Sequence, residues 1–283
     1  MQRYWDVLLI AFIAIALWES FSPRRETTRP TLRRWGQHWI LSGIDTAIGL
    51  LLRLTPVVIA AAVADSPYGV LNRSFLPLPV RVVAGVLLLD FVRYVQHRGL
   101  HAVSVFWRLH QVHHSDEHFD LTTGLRFHPA ETVVTHLSYA AVVALLAPPV
   151  VAVVIADFGL MIQTFFAHAN IRLPRRLEHR LRLFMVTPEM HRVHHTVRRE
   201  EQNANFGAIF PFWDRLCRTY RAAPADADEY LRFGLSYLRD GQPRTLAALL
   251  RMPFIGAGPA VGRTLSGPRR ISTEHDFPTL REK

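Results

Sequence analysis

The sequence predicts an all-α integral-membrane protein, a helical bundle that carries a histidine-rich helical cap on its cytosolic side. Two observations predict this fold class. Of the 283 residues, 49% are hydrophobic and 20% are charged, and the apolar residues are concentrated in long runs, as in membrane proteins. The 15 histidines are also unevenly distributed, because eight of them fall in three short clusters. We therefore expect apolar helices in the membrane and a polar site at their ends.

The three histidine clusters use two spacings. One is an i, i+4 pair, and the other two share an i, i+3, i+4 pattern, so on a helix each cluster presents its imidazoles on one face. Imidazole is the commonest metal-ligating side chain, and one metal takes about four to six ligands. Eight clustered histidines therefore predict two metals, and solvated interfacial histidines would explain the repeated spacing poorly. The clusters are His97 and His101; His110, His113 and His114; and His191, His194 and His195.

The N-terminal elements follow from apolar runs and arginines. Residues 4–18 and 39–63 are predicted to be the first two spans, and Arg53 and Pro56 interrupt the second. A charge inside the membrane costs at least ~2.5 kcal/mol on insertion scales, so Arg53 is expected to face protein or water. The positive-inside rule assigns the loop between the two spans to the cytoplasm. Its arginines are Arg24, Arg25, Arg29, Arg33 and Arg34.

The later apolar runs bring the histidines to one side of the membrane. Residues 81–95 are predicted to return the chain to the cytoplasm just before His97. Residues 132–166 are too long for one crossing of about 30 Å at ~1.5 Å per residue, and Ala-Pro-Pro at 147–149 interrupts them. This pattern predicts a helical hairpin that ends at His168, a ninth candidate ligand. All histidine clusters then lie on the cytoplasmic face.

Carboxylates near the histidines are expected to orient the imidazoles. Asp90 precedes His97 by seven residues and His101 by eleven, which puts it on their helix face, where a carboxylate can accept a ring N–H. A salt bridge between Asp90 and Arg93 is an alternative that could coexist with this role. Glu131 is a second carboxylate that we expect beside the ligands.

Further residues are assigned by the same arguments. Asp157 precedes His168 by eleven residues, so it too is expected to share a face with its histidine. His128 and His118 stay open as ligands. His136, within the hairpin, is expected to hydrogen-bond a neighbouring helix. Three histidines are predicted to be surface residues: His38, His179 and His275.

Charge and cysteine usage narrow the possible functions. The net charge is +10, and because the arginines flank apolar runs, membrane topology and anionic lipid explain it better than a nucleic-acid partner, which we do not expect. The only cysteine, Cys217, excludes an intrachain disulfide and a thiolate metal cage. Any metal must therefore be held by nitrogen and oxygen.

Several segments together resemble the fatty acid hydroxylase superfamily, the sterol desaturase-like integral-membrane oxygenases. The resemblance covers about half of the chain, with the motifs in the order and spacing of that family. The sequence departs from the family pattern at Asn203 and at residues 217–219, outside the histidine motifs. The segments are DFVRYVQHRGLH, FWRLHQVHHS, LRFHPAE, FFAHANIRLP, VTPEMHRVHHT and NANFGAIFPFWDRL.

The resemblance implies a cofactor and a reaction. It implies a centre of two Fe ions on the cytosolic face, with Zn as a possible mismetallation, held by the eight clustered histidines and His168. It implies the use of O2 to hydroxylate or desaturate a C–H bond of a membrane lipid, which could be a sterol, a fatty acyl chain or an alkyl lipid. The electrons would come from outside, from a ferredoxin or a b-type cytochrome with its reductase. The arginine-rich segment 172–182 is a candidate docking surface for that donor.

We divide the chain into three regions on these grounds. Residues 1–80 are predicted to hold N-terminal transmembrane helices and loops, and residues 81–222 the hydroxylase-like catalytic domain. Residues 223–283 are predicted to be a cytosolic extension, with an interfacial amphipathic helix near 244–251 and a disordered tail from residue 256. The expected location is a bacterial inner membrane. The alternative classes are a non-redox metal-binding membrane protein, such as a zinc-dependent membrane hydrolase, and a metal transporter.

Overall fold

Helices and turns make up the fold. The computed structural model describes residues 2–26, 31–52, 55–72, 74–239 and 245–255, and in these ranges it contains no β-strand, only two isolated bridges. The all-α fold class is therefore confirmed. Several sequence-based expectations lie outside the described residues, namely those for Arg29, Arg53, His275 and the tail from residue 256.

Four helices form the first part of the chain, and the fourth carries the first histidine pair. Proline starts two of them: Pro56 is the first residue of α3, and a proline lies in the first turn of α4, where its missing N–H costs nothing. α4 has 25 residues and continues beyond the predicted apolar run through both histidines of the pair. The helices are α1 (Gln2–Phe21), α2 (Thr31–Leu51), α3 (Pro56–Ala62) and α4 (Leu78–Ala102).

A short helix and a hairpin follow. Val103, in an extended conformation, separates α4 from α5 (Ser104–His114). The predicted hairpin consists of α6 (Pro129–Leu146) and α7 (Val150–His168). Its break falls at the predicted Ala-Pro-Pro, where Ala147 adopts a left-handed conformation with φ 42°. α7 ends at its histidine, as expected from the end of the apolar run.

The remaining helices are short and, with their connecting loops, form the cap around the helix ends. They contain four to seven residues each. The third histidine cluster lies on the second of them, α9. The cap helices are α8 (Arg175–Leu181), α9 (Pro188–His194), α10 (Arg199–Gln202), α11 (Phe212–Leu216) and α12 (Leu246–Arg251).

Close packing of α4 against α7 brings the histidine-bearing ends of these two helices together. A Cβ atom on Gly85 of α4 would lie 2.9 Å from the Cβ of Ala152 on α7, so the glycine lets the two helices approach closely. Leu89 of α4, Tyr139 and Val143 of α6, and Val153 of α7 lie together in one apolar cluster. The carboxyl-terminal ends of α4 and α7 therefore meet on one side of the bundle.

Three helical stretches among the described residues are long and apolar enough to span a membrane. They are Leu32–Ala62, which runs over residues outside the description, and the two hairpin helices Pro129–Leu146 and Val150–His168. α4, which carries charged residues along its length, is not among them. The predicted helix at residues 244–251 exists as α12, and its Leu249 packs against Leu41 and Val112 in the protein interior.

Candidate metal centre

Nine histidines assemble into two neighbouring groups at the ends of α4 and α7. In each group the candidate ligand atoms lie within 4.8 Å of one another. Helices α5 and α9 contribute to both groups, because their i, i+3, i+4 patterns place successive imidazoles on neighbouring parts of one face. α4 supplies only the five-histidine group and α7 only the four-histidine group. The five-histidine group is His97, His101, His110, His114 and His194; the four-histidine group is His113, His168, His191 and His195.

Hydrogen bonds orient three imidazoles of the five-histidine group. Nδ1 of His97 donates to the carbonyl oxygen of Phe206 at 2.9 Å, and Nδ1 of His194 donates to that of Ala204 at 2.8 Å. A carbonyl oxygen can only accept, so both rings carry their proton on Nδ1 and keep the lone pair of Nε2 for a metal. Nδ1 of His110 lies 2.7 Å from Oε1 of Glu131, which fixes its tautomer in the same way.

The Nε2 atoms of the four-histidine group converge. They lie 3.3 Å apart between His113 and His168, 2.9 Å between His168 and His191, and 3.1 Å between His191 and His195. Two nitrogens that each lie about 2.1 Å from one metal are about 3 to 3.4 Å apart. Nδ1 of His168 donates to the carbonyl oxygen of Thr164 at 2.8 Å, which leaves its Nε2 without a proton.

The unpartnered nitrogens test whether this site fits metal ions. Buried polar atoms are normally hydrogen-bonded, yet Nε2 of His97, His110 and His194 has no partner among the described residues, nor has either ring nitrogen of His101 and His114. Unpaired lone pairs that face one another are what a metal ion satisfies. A purely nitrogen donor set suits iron, zinc, copper or nickel rather than magnesium or calcium, so these residues fit two ions of that kind.

Burial keeps the imidazoles of His114, His194 and His195 neutral, as metal ligation requires. Removal from water, together with the neighbouring imidazoles, holds the pKa of His114 and His195 well below its ordinary value. Burial likewise lowers the pKa of His194 to about 3. The rings therefore present lone pairs at neutral pH.

The structure corrects the expected role of Asp90. Its carboxylate accepts hydrogen bonds from the backbone N–H of Ile209 at 2.9 Å and of Phe210 at 3.3 Å, and from Nε1 of Trp213 at 2.8 Å. The expectation that it receives a ring N–H of the α4 histidines is therefore wrong, and so is the salt bridge with Arg93. The physical reason is that the loop before α11 and the start of α11 lie against α4 and together present three donors.

Asp157 is also placed differently from the expectation. It lies beside Tyr139 and Arg93, and the guanidinium carbon of Arg93 is 3.7 Å from the centroid of the Tyr139 ring. The ring proton of His168 goes to the carbonyl oxygen of Thr164 in its own helix. Asp157 therefore packs against Tyr139 of α6, and it does not accept the ring proton of His168.

The histidines left open are placed outside both groups. His128 is the residue before α6, where Nδ1 accepts from the N–H of Ala130 at 3.1 Å, and His118 lies in the loop after α5. His136 donates to the carbonyl oxygen of Thr132 at 2.8 Å, within its own helix rather than to the neighbouring one we expected.

Two of the predicted surface histidines lie within the described residues. The side chain of His179 is 74% exposed, as predicted. The prediction was wrong for His38, which is fully buried with Nδ1 3.0 Å from Oγ1 of Thr122. The reason is that α2 packs against the turn at 121–125, so this face of the helix is inside the protein.

Comparison with known proteins identifies the class of this site. Residues 82–219 match the family model described as fatty acid hydroxylase. A human alkylglycerol monooxygenase is 32% identical over 148 residues, which are 52% of this chain and 31% of that protein. The zebrafish (Danio rerio) alkylglycerol monooxygenase is 32% identical over 214 residues, 73% of this chain and 46% of that protein.

A bacterial relative matches over a similar length of the chain. The ornithine lipid hydroxylase of Rhizobium tropici is 29% identical over 153 residues, 52% of this chain and 44% of that protein. The chain thus spans less than half the length of each of these curated relatives. No solved structure matches it. The chain is an α-helical membrane protein with histidine groups suited to metal. It belongs to the fatty acid hydroxylase superfamily.

Proposed function

We propose that this protein is a membrane-bound di-iron oxidoreductase that uses O2 to hydroxylate a C–H bond of a lipid. One observation carries the proposal: nine imidazoles form two neighbouring groups, with unpartnered ring nitrogens in the group of five and converging Nε2 atoms in the group of four. Membership in the superfamily supports the reaction class. The names of the relatives, alkylglycerol monooxygenase and ornithine lipid hydroxylase, support hydroxylation over desaturation and a polar lipid as substrate.

The residues of the chain perform distinct tasks in this proposal. His97, His101, His110, His114 and His194 would hold one ion, and the remaining four histidines the other. Iron, when bound there, would supply the chemistry that activates dioxygen and cleaves the C–H bond. The protein orients the ligands through the carbonyl oxygens of Phe206, Ala204 and Thr164 and the carboxylate of Glu131.

Aromatic side chains around the groups exclude water. The Phe127 ring stacks on His113 with centroids 4.6 Å apart, the Phe206 ring is 5.5 Å from His97, and the Trp107 ring is 5.4 Å from His114. A dry site protects a reactive oxidant from side reactions with solvent. The histidines lie at the ends of α4 and α7, where an alkyl chain in the membrane could reach them from the bilayer.

We further propose that the histidine groups face the cytoplasm of a bacterial inner membrane and that an external donor supplies electrons there. A ferredoxin or a b-type cytochrome with its reductase has the required chemistry. Arg172, Arg175, Arg176 and Arg180 are exposed on one segment of the cap, which fits an acidic donor.

The alternative classes account for fewer of the observations. A transporter holds its ions near the membrane midplane, whereas these histidines cluster at helix ends. A zinc hydrolase uses three protein ligands and leaves one position open, whereas here nine imidazoles form two groups.

Metal analysis of variants tests the centre. We expect about two metal ions per chain, including iron, in protein purified in detergent. His101→Ala and His195→Ala should each remove about one ion, because each takes a ligand from a different group, and His194→Ala should lower the content of the five-histidine group. His179→Ala is the matched control, since this ring is exposed. Equal metal content in all four variants would contradict the assignment.

Labelled oxygen tests the reaction. Iron-loaded protein should convert a membrane lipid to its alcohol when supplied with reductant and a donor, and the new hydroxyl should carry ¹⁸O from ¹⁸O2 but not from H2¹⁸O. Mass spectrometry of the extracted lipids measures this. Oxygen that comes only from water would refute the oxygenase and favour a hydrolytic reaction.

A further inference from the structure

A cavity of about 260 Å³ lies in the cap, separate from the histidine groups. α9 lines it with Glu189, Arg192 and Val193, each two residues before one of the three histidines of the third cluster. No histidine of the metal groups lines the cavity, although Arg192 lies three residues before His195 and so neighbours it on the helix. The rest of the lining comes from Arg24 after α1 and from Ala223, Pro224, Asp226, Asp228 and Leu231.

Arg192 is the unusual group in this cavity. It is only 2% exposed, and among the described residues none of its three guanidinium nitrogens has a hydrogen-bond partner. Its guanidinium carbon lies 5.5 Å from the ring centroid of Phe119 and 5.9 Å from that of Phe233. The rings favour a cation but offer no acceptor for five N–H donors.

The carboxylates of the cavity are paired with other arginines. Arg24 binds Glu189 at 2.9 Å and Asp228 at 2.5 Å. Asp226 is paired with Arg198, with two hydrogen bonds of 2.7 and 2.5 Å. Glu189 and Asp228 attract Arg192 over a longer distance without accepting a hydrogen bond from it. Negative charge therefore lies near the guanidinium, but no oxygen accepts a hydrogen bond from it.

We propose that this cavity binds an oxyanion, a phosphate or a carboxylate group, and that Arg192 is its principal donor. A planar guanidinium binds such groups through two parallel hydrogen bonds. Two sources can supply the oxyanion. Arg24 follows the end of α1 by three residues, so a lipid headgroup at the membrane surface is one source, and a free phosphate is the other. This proposal does not rest on the metal ions or on the proposed hydroxylation.

Calorimetric titration of the full chain tests the site. The protein is held in an uncharged maltoside detergent at constant ionic strength and titrated with sodium phosphate and, separately, with short-chain phosphatidylglycerol. Arg192→Met removes the donors and keeps the apolar stem between the rings. We expect it to weaken binding at least about tenfold, since a hydrogen bond to a charged group is lost. Arg218→Met, at an exposed arginine after α11, should bind like the wild type.

A second variant keeps the test valid if Arg192→Met fails to fold. Ala223 is exposed at the edge of the cavity, so Ala223→Trp should fill the cavity without disturbing the interior, and it should also abolish binding. Phosphatidylglycerol that binds at least tenfold more tightly than phosphate identifies a headgroup site, and equal affinities identify a free-anion site. The proposal is overturned if wild type binds neither probe, or if both Arg192→Met and Ala223→Trp bind as wild type does.

Discussion

The backbone carbonyl oxygen of Phe206 accepts a hydrogen bond from Nδ1 of His97, 2.9 Å away. The N–H of the same residue donates to Oδ1 of Asp214 at 2.8 Å, and the N–H of Gly207 donates to Oδ2 at 2.7 Å. Asp214 is fully buried. It therefore acts on His97 from a distance, because it holds the peptide whose carbonyl oxygen fixes the ring.

Replacement of Asp214 should disturb both the loop and the five-histidine group. In Asp214→Asn the amide NH2 would face an N–H donor, so we expect about 1–3 kcal/mol of destabilisation for a buried donor left unpaired, together with lower metal affinity. Thermal unfolding and metal content measure the two effects. Asp226→Asn is the matched control, since Asp226 lies in an exposed ion pair, and should change neither. If Asp214→Asn is destabilised but binds metal with full affinity, Asp214 stabilises the fold and does not help to orient His97.

Glu131 should control metal affinity through its acceptor oxygen rather than its charge. Oε1 lies 2.7 Å from Nδ1 of His110, and Glu131→Gln retains an oxygen at that place whereas Glu131→Ala does not. We expect Glu131→Ala to lower metal affinity by about 10- to 100-fold, the usual cost of losing a partner of a metal ligand, and Glu131→Gln to keep most of it. Competition with a chelator measures the affinities.

The exposed Glu200 supplies the control for this pair. Glu200→Ala should bind metal as the wild type does. A large loss in Glu131→Gln, equal to that in Glu131→Ala, would mean that the negative charge, and not the hydrogen bond, is what the centre needs.

Much of the site was predictable because spacing on a helix determines which side chains share a face. The i, i+3, i+4 patterns assigned the histidines to common faces, and the apolar run ending at His168 put that ring at the same level. The partition into five and four was not predictable. It depends on how α5 and α9 are rotated relative to α4 and α7, and a one-dimensional pattern does not contain that angle.

Of the groups that orient the imidazoles, Glu131 was expected beside the ligands and the others were missed for a different reason. Three of them, at Phe206, Ala204 and Thr164, are backbone carbonyl oxygens, which every residue possesses, so no residue type marks them. The sequence instead pointed to Asp90, since a carboxylate inside an apolar run needs a partner. Asp90 does have such partners, but they come from the loop before α11 and from α11 itself, 119 to 123 residues away.

Replacement of Asp90 distinguishes these two roles. If it holds the loop before α11, Asp90→Ala should shift the fluorescence of Trp213, whose Nε1 loses its acceptor at 2.8 Å, while metal affinity falls by less than about tenfold. Trp213→Phe should reproduce the loss of thermal stability in part. If metal affinity instead falls as far as in Glu131→Ala, Asp90 contributes to the orientation of the ligands after all.

Gly124 should be required for the four-histidine group because of the space it leaves. A Cβ atom there would lie 2.7 Å from Cγ2 of Thr164 and 3.1 Å from Nδ1 of His168, so Gly124→Ala must displace the end of α7. We expect about 1–3 kcal/mol of destabilisation from overpacking and the loss of metal chiefly from the four-histidine group. Metal content and thermal unfolding of the full chain check both.

Gly99 supplies the control, because Gly99→Ala adds the same methyl group at a place where it meets no neighbour. Gly99 lies within α4, between the two histidines of the first cluster, and a Cβ there would meet nothing within 4 Å. Gly99→Ala should therefore stabilise the helix slightly, by up to about 1 kcal/mol, with unchanged metal content. If Gly124→Ala also keeps its metal, the end of α7 has room to move and the Thr164 carbonyl does not fix His168. If only Gly124→Ala loses metal, the close approach of the turn at 121–125 to His168 is part of what holds the ring in place.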